Sequence, residues 1–243
     1  MSKNIYFVSD IHLGAPNPER SLEREKLLVK WLNSIKEKAE AIYFLGDVFD
    51  FWFEYKHVIP RGYVRFLGKI AELADEGIDI HVFAGNHDLW YKDYLPKSLG
   101  VKVHHEPMRA QFFGRSYYFA HGDGLGPGDH GYKLMKKVVT HPFVKWLFAR
   151  MHPNFAIGLA LGVSKHGGNH DYETLGDQEW RYKMNPALME HAHKVIAEEG
   201  PIDYFIFGHR HALVREPYED QFEALILGDW VHFYSYLEIS PKG

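Results

Sequence analysis

Short runs of β-branched and aromatic residues recur along the chain, and most of them end in a polar residue beside a glycine. Six such runs occupy residues 4–10, 41–47, 78–86, 115–123, 203–209 and 223–229. Runs of this length and composition are typical of buried strands. Between the first three runs, residues 19–39 and 63–77 repeat apolar residues at spacings of three and four, with charged residues between them. This pattern predicts two amphipathic helices.

The order of these elements predicts an α/β fold, because strands alternate with helices at the start and then follow in closer succession. Residues 212–239 have the pattern of an antiparallel meander. The segment from about 127 to 185 has several helix-like pieces and no strand-like run. We therefore interpret it as a helical insertion, or lid, within a single domain of residues 1–243, a length that one α/β domain commonly reaches.

Composition narrows the chemistry that is available. The chain has 17 histidines and no cysteine, so thiolate metal sites and cysteine nucleophiles are excluded. Any metal ion must be held by His, Asp, Glu or Asn. The N-terminus has no secretory pattern, and the longest apolar stretch, residues 155–163, is shorter than the roughly 20 residues that span a bilayer. We expect a cytoplasmic protein.

Five of the strand-like runs end in residue types that bind metals. A single His or Asp at a strand end is more often a capped turn or a solvated loop residue, but five in succession point to one site. Ligands collect at the carboxyl ends of strands in open α/β sheets, so these side chains are expected to meet. The seven candidates are Asp10, His12, Asp47, Asn86, His121, His209 and His211.

Seven ligands exceed the number that a single catalytic ion with an open position takes, which favours two ions. Asp47 lies in the middle of the order, and a carboxylate can bridge ions about 3.5 to 4 Å apart. Mixed imidazole, carboxylate and amide ligands suit manganese, iron, zinc or cobalt better than calcium or magnesium. The ligand types alone do not choose among the first four metals.

The succession D-x-H, GD-x-x-D, GNHD, HGD and GH-x-H resembles the calcineurin-like metallophosphoesterase superfamily across residues 10–211. The resemblance implies a four-layer αββα sandwich around a two-metal centre. It assigns Asp47 to both ions as the bridging ligand. The other ligands would be Asp10, His12 and His211 for the first ion, and Asn86, His121 and His209 for the second.

The sequence between the motifs is similar to that of the UDP-2,3-diacylglucosamine diphosphatase family of lipid A biosynthesis, notably DIHLG, LGDVFDFW, residues 121–148 and LGDW. This resemblance implies cleavage of UDP-2,3-diacylglucosamine to UMP and 2,3-diacylglucosamine 1-phosphate by attack of a metal-bound hydroxide. It favours two Mn²⁺ ions, with iron, zinc or cobalt as alternatives. It also implies that the lid receives the acyl chains and that Asn86, Asp129 and Tyr132 contact the substrate.

His87 and Asp88 are the predicted catalytic residues. His87 is expected to donate a proton to the leaving oxygen or to hold the phosphoryl charge, and Asp88 to fix its tautomer. Proteobacterial members of the diphosphatase family carry Arg at the position of His87, whereas the wider superfamily has His, so GNHD marks a divergent branch. The open alternatives are a phosphodiesterase or pyrophosphatase acting on another nucleotide or lipid-linked substrate. A non-enzymatic scaffold is disfavoured, because all seven ligands are present.

Charge is distributed unevenly. The net charge of -4 predicts no nucleic-acid partner, and no pattern predicts a protein partner. However, the chain has no acidic residue between Asp129 and Asp171. This window could be an ordinary cap with a solvated basic face, or it could lie on an anionic inner membrane and reach an amphiphilic substrate, which the resemblance favours. Its basic residues are Lys133, Lys136, Lys137, Lys145, Arg150 and Lys165.

Overall fold

A computed structural model describes residues 3–167, 179–218 and 221–242, and its centre is a pair of five-stranded sheets. In the first sheet the order is β10-β1-β2-β3-β4, with β1 to β4 parallel and β10 antiparallel to β1. Its strands are β1 (Asn4–Val8), β2 (Ala39–Phe44), β3 (Asp79–Phe83), β4 (Lys102–His104) and β10 (Leu237–Ile239).

The second sheet has the order β5-β6-β7-β9-β8, with the three central strands parallel and both outer strands antiparallel to their neighbours. Its strands are β5 (Met108–Phe112), β6 (Arg115–Ala120), β7 (Tyr204–Phe207), β8 (Leu213–Tyr218) and β9 (Phe222–Leu227). The three parallel strands direct their carboxyl ends to the same edge as β1 to β3, so the predicted ligands meet between the sheets.

Helices cover the outer face of each sheet. The first sheet packs against α1 (Pro18–Ile35), α2 (Val64–Asp75) and α3 (Tyr94–Leu99), and the second against α7 (Pro186–Glu199). Side chains alternate between the faces of a strand, so Tyr6 and Val8 of β1 face the helices while Phe7 faces the other sheet. There Phe7 packs edge-on against Phe119 of β6, with ring centroids 5.1 Å apart. The predicted four-layer αββα architecture is confirmed.

The predicted antiparallel meander at the C-terminus is only partly correct. Strands β8 and β9 form an antiparallel hairpin, but β10 leaves that sheet and pairs with β1. The connection passes the strand ends, where the backbone N–H of Trp230 donates to the carbonyl of Asp10 at 3.0 Å. The sequence pattern also does not identify β4 and β5, because β4 has only three residues and β5 alternates between half-buried and exposed positions.

Three helices follow β6: α4 (His130–Thr140), α5 (Pro142–Phe148) and α6 (Pro153–Gly167). We call them the α4–α6 segment. Residues 168–178 of the predicted lid lie outside the described residues, and within the described part of 127–185 the elements are these helices and a 3-10 helix at Glu179–Tyr182. The α4–α6 segment contacts the core through an aromatic cluster in which Phe148 lies 4.7 Å from Phe53 and 4.8 Å from Trp90, centroid to centroid.

Candidate metal centre

The seven predicted ligands lie on loops just beyond the carboxyl ends of five strands: β1, β2, β3, β6 and β7. Asp10 and His12 lie in the loop after β1, which ends at Val8. Their side chains are therefore oriented by turns of the backbone and not by the alternation of side chains along a strand. Left-handed φ values, which cost about 1–3 kcal/mol each in L-residues, concentrate here. They occur at Asp10 (55°), His12 (49°), Asp47 (51°), His209 (65°) and His211 (47°).

The first group of ligand atoms comes from Asp10, His12 and His211. The Nε2 atoms of His12 and His211 are 3.2 Å apart, and Asp10 Oδ1 lies 3.6 Å from His211 Nε2. Asp10 Oδ2 accepts the backbone N–H of His209 at 2.9 Å, whereas Oδ1 is buried and accepts no hydrogen bond from the described residues. A buried carboxylate oxygen that faces two imidazole nitrogens fits a cation.

The second group comes from Asp47, His121 and His209, whose ligand atoms all lie within 4.8 Å of one another. The amide oxygen of Asn86 joins it, 3.1 Å from His121 Nε2. Asp47 Oδ2 lies 3.3 Å from His121 Nε2 and 3.8 Å from His12 Nε2. One carboxylate oxygen therefore faces both groups, which is the position that a bridging ligand occupies.

The protonation of two ligand imidazoles suits metal binding directly. Burial lowers the pKa of His12 to about 3 and that of His209 to about 3, so both imidazoles are neutral, the form that binds a metal. For the other two, burial alone would lower the pKa, but nearby carboxylates raise the pKa of His121 to about 10 and also raise that of His211, so metal binding there releases protons.

Burial alone would raise the pKa of Asp47, but the nearby imidazoles of His121 and His87 hold it well below its ordinary value. Burial raises the pKa of Asp10, and His211 offsets this only in part. A divalent cation would supply the missing positive charge.

Two carboxylates lie behind the ligand imidazoles. His211 Nδ1 donates to Asp229 Oδ2 at 2.9 Å, and Asp229 is itself held by the backbone N–H of Val231 at 2.9 Å. Asp50 Oδ1 lies 3.6 Å from His12 Nδ1. Such carboxylates fix the orientation of a ligating imidazole and raise its basicity. The sequence contains both residues, in LGDW and in GD-x-x-D, but its local pattern does not show what they contact.

His87 lies at the edge of the first group, with its ring 4.8 Å from that of His12. Its Nδ1 donates to the carbonyl oxygen of Asp50 at 3.1 Å and lies 3.4 Å from Asp50 Oδ1. Burial alone would lower the pKa of His87, but the carboxylates of Asp47 and Asp50 outweigh it and raise the pKa to about 9. These carboxylates therefore favour the protonated, positively charged form of His87.

Asp88 has different partners from the predicted one, because Asp50 rather than Asp88 binds His87. The buried carboxylate of Asp88 accepts the backbone N–H groups of Gly85 at 2.7 Å and of Val48 at 2.8 Å, and the hydroxyl of Tyr91 at 2.6 Å. It thus ties the loop that carries Asn86 to the loop that carries Asp47. Its role in the structure is to position these loops.

Gly85 is required for close packing rather than for a tight turn, since its φ is not left-handed. A Cβ atom at this position would lie 2.2 Å from Asp47 Oδ1 and 2.5 Å from the Asp47 backbone nitrogen. Any larger residue would displace the carboxylate that faces both ligand groups.

The predicted substrate contacts outside the ligand groups lie at the start of α4. Asp129 precedes the helix with a left-handed φ of 48° and is exposed. The hydroxyl of Tyr132 donates to Asp123, two residues after His121. Both substrate contacts stay predictions.

Comparison with known proteins agrees with this geometry. The sequence profile described as calcineurin-like phosphoesterase matches residues 3–213, the span that holds every candidate ligand. The chain belongs to the calcineurin-like phosphoesterase family. The predicted superfamily and the class of metal-dependent phosphoesterase are therefore confirmed, and the family assignment implies divalent metal ions at the two ligand groups.

Two relatives resemble this phosphoesterase along nearly its whole length. A UDP-2,3-diacylglucosamine hydrolase from Porphyromonas gingivalis is 42% identical, over 97% of this chain and 94% of its own. A UDP-2,3-diacylglucosamine hydrolase from Actinobacillus succinogenes is 25% identical, over 98% and 96%. Among solved structures, a novel archaeal phosphodiesterase superposes with a TM-score of 0.44 and 13% identity, covering 97% of this chain and 98% of that chain.

Replacing Asp229 should weaken metal binding. We expect Asp229→Asn to lower the affinity for Mn²⁺ by about 10- to 100-fold, because the imidazole of His211 loses the carboxylate that orients it. Calorimetric titration of the metal-free protein measures this. The matched control is Asp203→Asn, since Asp203 also accepts a backbone N–H, that of Ser116 at 2.7 Å, but lies at the opposite end of β7. Unchanged affinity in Asp229→Asn would contradict the assignment.

Proposed function

We propose that this phosphoesterase hydrolyses UDP-2,3-diacylglucosamine to UMP and 2,3-diacylglucosamine 1-phosphate. The observation that carries the proposal is the 42% identity over 97% of the chain to a relative that bears the name of this hydrolase. The convergence of the seven polar side chains between the sheets supports it, because cleavage of a diphosphate requires a centre that can hold phosphoryl charge.

The two ligand groups would hold the metal ions, for which we propose Mn²⁺ in both positions, with iron, zinc or cobalt as alternatives. Bound there, the ions would neutralise the phosphoryl oxygens and lower the pKa of a bound water. The contribution of the protein is to fix their ligands. Asp229 and Asp50 hold the imidazoles of His211 and His12, and Asp88 holds the loop of Asp47.

We assign His87 the role of a fixed positive charge that stabilises the charge on the phosphoryl group. The Asp50 carbonyl holds its Nδ1, and Asp47 and Asp50 keep it protonated, with a pKa of about 9. The leaving group of this substrate is a sugar phosphate, which is stable as an anion and needs no proton at neutral pH. The resemblance places Arg at this position in proteobacterial members of the diphosphatase family, and Arg does not give up a proton in proteins. Positive charge is the property that protonated His87 and this Arg share.

Substitutions at His87 test this role. We expect His87→Gln to lower kcat on UDP-2,3-diacylglucosamine by about 100-fold or more, because a neutral amide does not supply the charge, and His87→Arg to stay within about tenfold of the wild type. Steady-state kinetics with the metal content measured in parallel gives the answer. If Gln and Arg lowered kcat equally, the charge would not be the contribution of His87.

Direct assay tests the substrate. The manganese-loaded protein, incubated with UDP-2,3-diacylglucosamine, is expected to release UMP and the lipid 1-phosphate in equal amounts, resolved by chromatography and mass spectrometry. Asp47→Ala should abolish release together with metal binding, because Asp47 faces both ligand groups. Turnover of a simple aryl phosphodiester without any UMP release would contradict the proposal. It would leave a phosphodiesterase or pyrophosphatase that acts on another nucleotide or lipid-linked substrate.

We propose that the α4–α6 segment acts as a lid within a single domain of residues 1–243. This lid would receive the acyl chains at an anionic membrane surface. None of the helices in the described residues is both long and apolar enough to cross a membrane. Instead, the segment exposes many large apolar side chains, and the guanidinium of Arg150 lies 4.9 Å from the ring of Trp146. The exposed apolar residues are Leu134, Met135, Val138, Phe143, Trp146, Leu147, Phe155 and Leu159.

This arrangement supports a peripheral location on the cytoplasmic face of the inner membrane. Apolar and basic side chains on one surface suit the boundary between anionic headgroups and acyl chains. Lys136 is engaged by Asp123, so Lys137 and Arg150 are the better candidates for contact with headgroups.

Vesicle co-sedimentation tests the membrane contact. On vesicles containing phosphatidylglycerol, we expect Lys137→Glu with Arg150→Glu to weaken binding at least about tenfold, since each basic residue near the surface contributes about 1 kcal/mol. The matched control, Lys26→Glu with Lys30→Glu on the exposed face of α1, makes the same change of charge away from the segment. Equal effects of the two double variants would contradict a specific surface.

A further inference from the structure

The helix α4 has an unusual attachment to the rest of the protein. None of its residues from His130 to Thr140, all of which the structure describes, is buried. A helix usually docks by burying an apolar stripe, but here Leu134, Met135 and Val138 are exposed. Polar contacts must therefore fix the position of α4 relative to the metal centre.

The contacts of the first two turns of α4 converge on Asp123, while the indole N–H of Trp90 donates to the carbonyl of Val139 near the end of the helix, at 3.0 Å. Asp123 is 7% exposed and lies two residues after His121 in the loop that follows β6. Asp123 Oδ2 accepts hydrogen bonds from the Tyr132 hydroxyl and from Lys136 Nζ, the latter at 2.5 Å. Tyr132 and Lys136 are four residues apart and so lie on one face of the helix. One buried oxygen thus holds the first two turns of α4.

The same loop makes a second, weaker contact. Lys133 Nζ donates to the carbonyl of Gly126 at 2.5 Å. Elsewhere on this side of α4, a cavity of about 220 Å³ separates Lys133 and Lys136 from His105 and Pro107 between β4 and β5. Since side chains do not fill this space, the attachment of the first two turns of the helix depends on Asp123 rather than on broad packing.

A buried carboxylate paired with a lysine is energetically asymmetric. Removal of one partner leaves the other charge desolvated, which is strongly destabilising for the local arrangement. Asp123 therefore favours one position of α4, the position in which Tyr132 and Lys136 both reach its oxygen. Because Asp123 and His121 share a loop, this position is defined relative to the metal ligands.

We propose that Asp123 is a positioning residue that latches α4 to the metal centre and so aligns acylated substrates for cleavage. The proposal rests on the proposed function for its substrate. Acyl chains bound along the α4–α6 segment can promote the reaction only if the segment is held at a fixed distance from the scissile phosphate. A small aryl phosphodiester does not reach the segment and gains nothing from the latch.

A double-mutant cycle tests this latch, by which we mean the contact of Asp123 with Tyr132 and Lys136. The variants are Asp123→Asn, which keeps the side-chain volume, Lys136→Met, and the double variant, each in the full-length, manganese-loaded protein. We expect each single variant to lower kcat/KM for UDP-2,3-diacylglucosamine at least tenfold, and the double variant to be no worse than Asp123→Asn. Turnover of bis(p-nitrophenyl) phosphate and the bound manganese should stay within twofold of the wild type.

Two controls separate the latch from simpler effects. Lys97→Met removes an ammonium from a carboxylate that is also 2.5 Å away, Asp93, but in an exposed pair, and it should change nothing. Hydrogen exchange of the α4 amides needs no substrate and should be at least tenfold faster in Asp123→Asn than in the wild type.

The outcomes are distinct. Additive losses in the cycle would overturn the proposal, as would equal losses on both substrates accompanied by loss of manganese, because Asp123 would then only support His121. Unchanged exchange in α4 would also overturn it. If the wild type cleaves the small diester but not UDP-2,3-diacylglucosamine, the proposed function fails, while faster exchange in Asp123→Asn would still establish the latch.

Discussion

The site depends on one buried carboxylate oxygen, Asp47 Oδ2, which faces His121 at 3.3 Å and His12 at 3.8 Å. Charge is expensive to bury in a protein interior unless it is paired, so this oxygen constrains everything around it. The loop that carries Asp47 approaches residue 85 so closely that only glycine, which has no Cβ atom, fits there. The carboxylate of Asp88 binds backbone N–H groups of the same loop, including that of Val48. The two sheets supply this arrangement by directing their parallel strand ends to one edge.

The sequence predicts the ligands because their signal is local, an apolar run that ends in a polar residue next to glycine. It does not predict how those residues are supported, since support depends on tertiary contacts. Asp229 reaches His211 only after the chain has completed a hairpin, and Asp50 reaches His87 only when two loops meet. The adjacency of His87 and Asp88 in the chain suggests a pair, but the loop geometry directs Asp88 to the backbone instead.

The surface of the α4–α6 segment contrasts with the interior of the site. Within the described residues, Phe143 is 62% exposed and Phe155 is 64% exposed, whereas five of the seven ligands, all except Asn86 and His209, are buried. Large exposed apolar patches on a water-soluble surface mark places where another molecule binds. A substrate with an anionic diphosphate and two acyl chains has the same division between its two halves.

The α4–α6 segment is attached through the same loops that carry the metal ligands. Phe53 and Trp90, which pack against Phe148, follow Asp47 and Asn86 closely in the chain, and Asp123 follows His121. These contacts tie one position of the helices to the ordered arrangement of the ligand loops. Binding equilibria that share an element in this way are reciprocal. Under the proposed function, an acylated substrate that orders the helices and metal ions that order the ligand loops would strengthen each other's binding by the same factor.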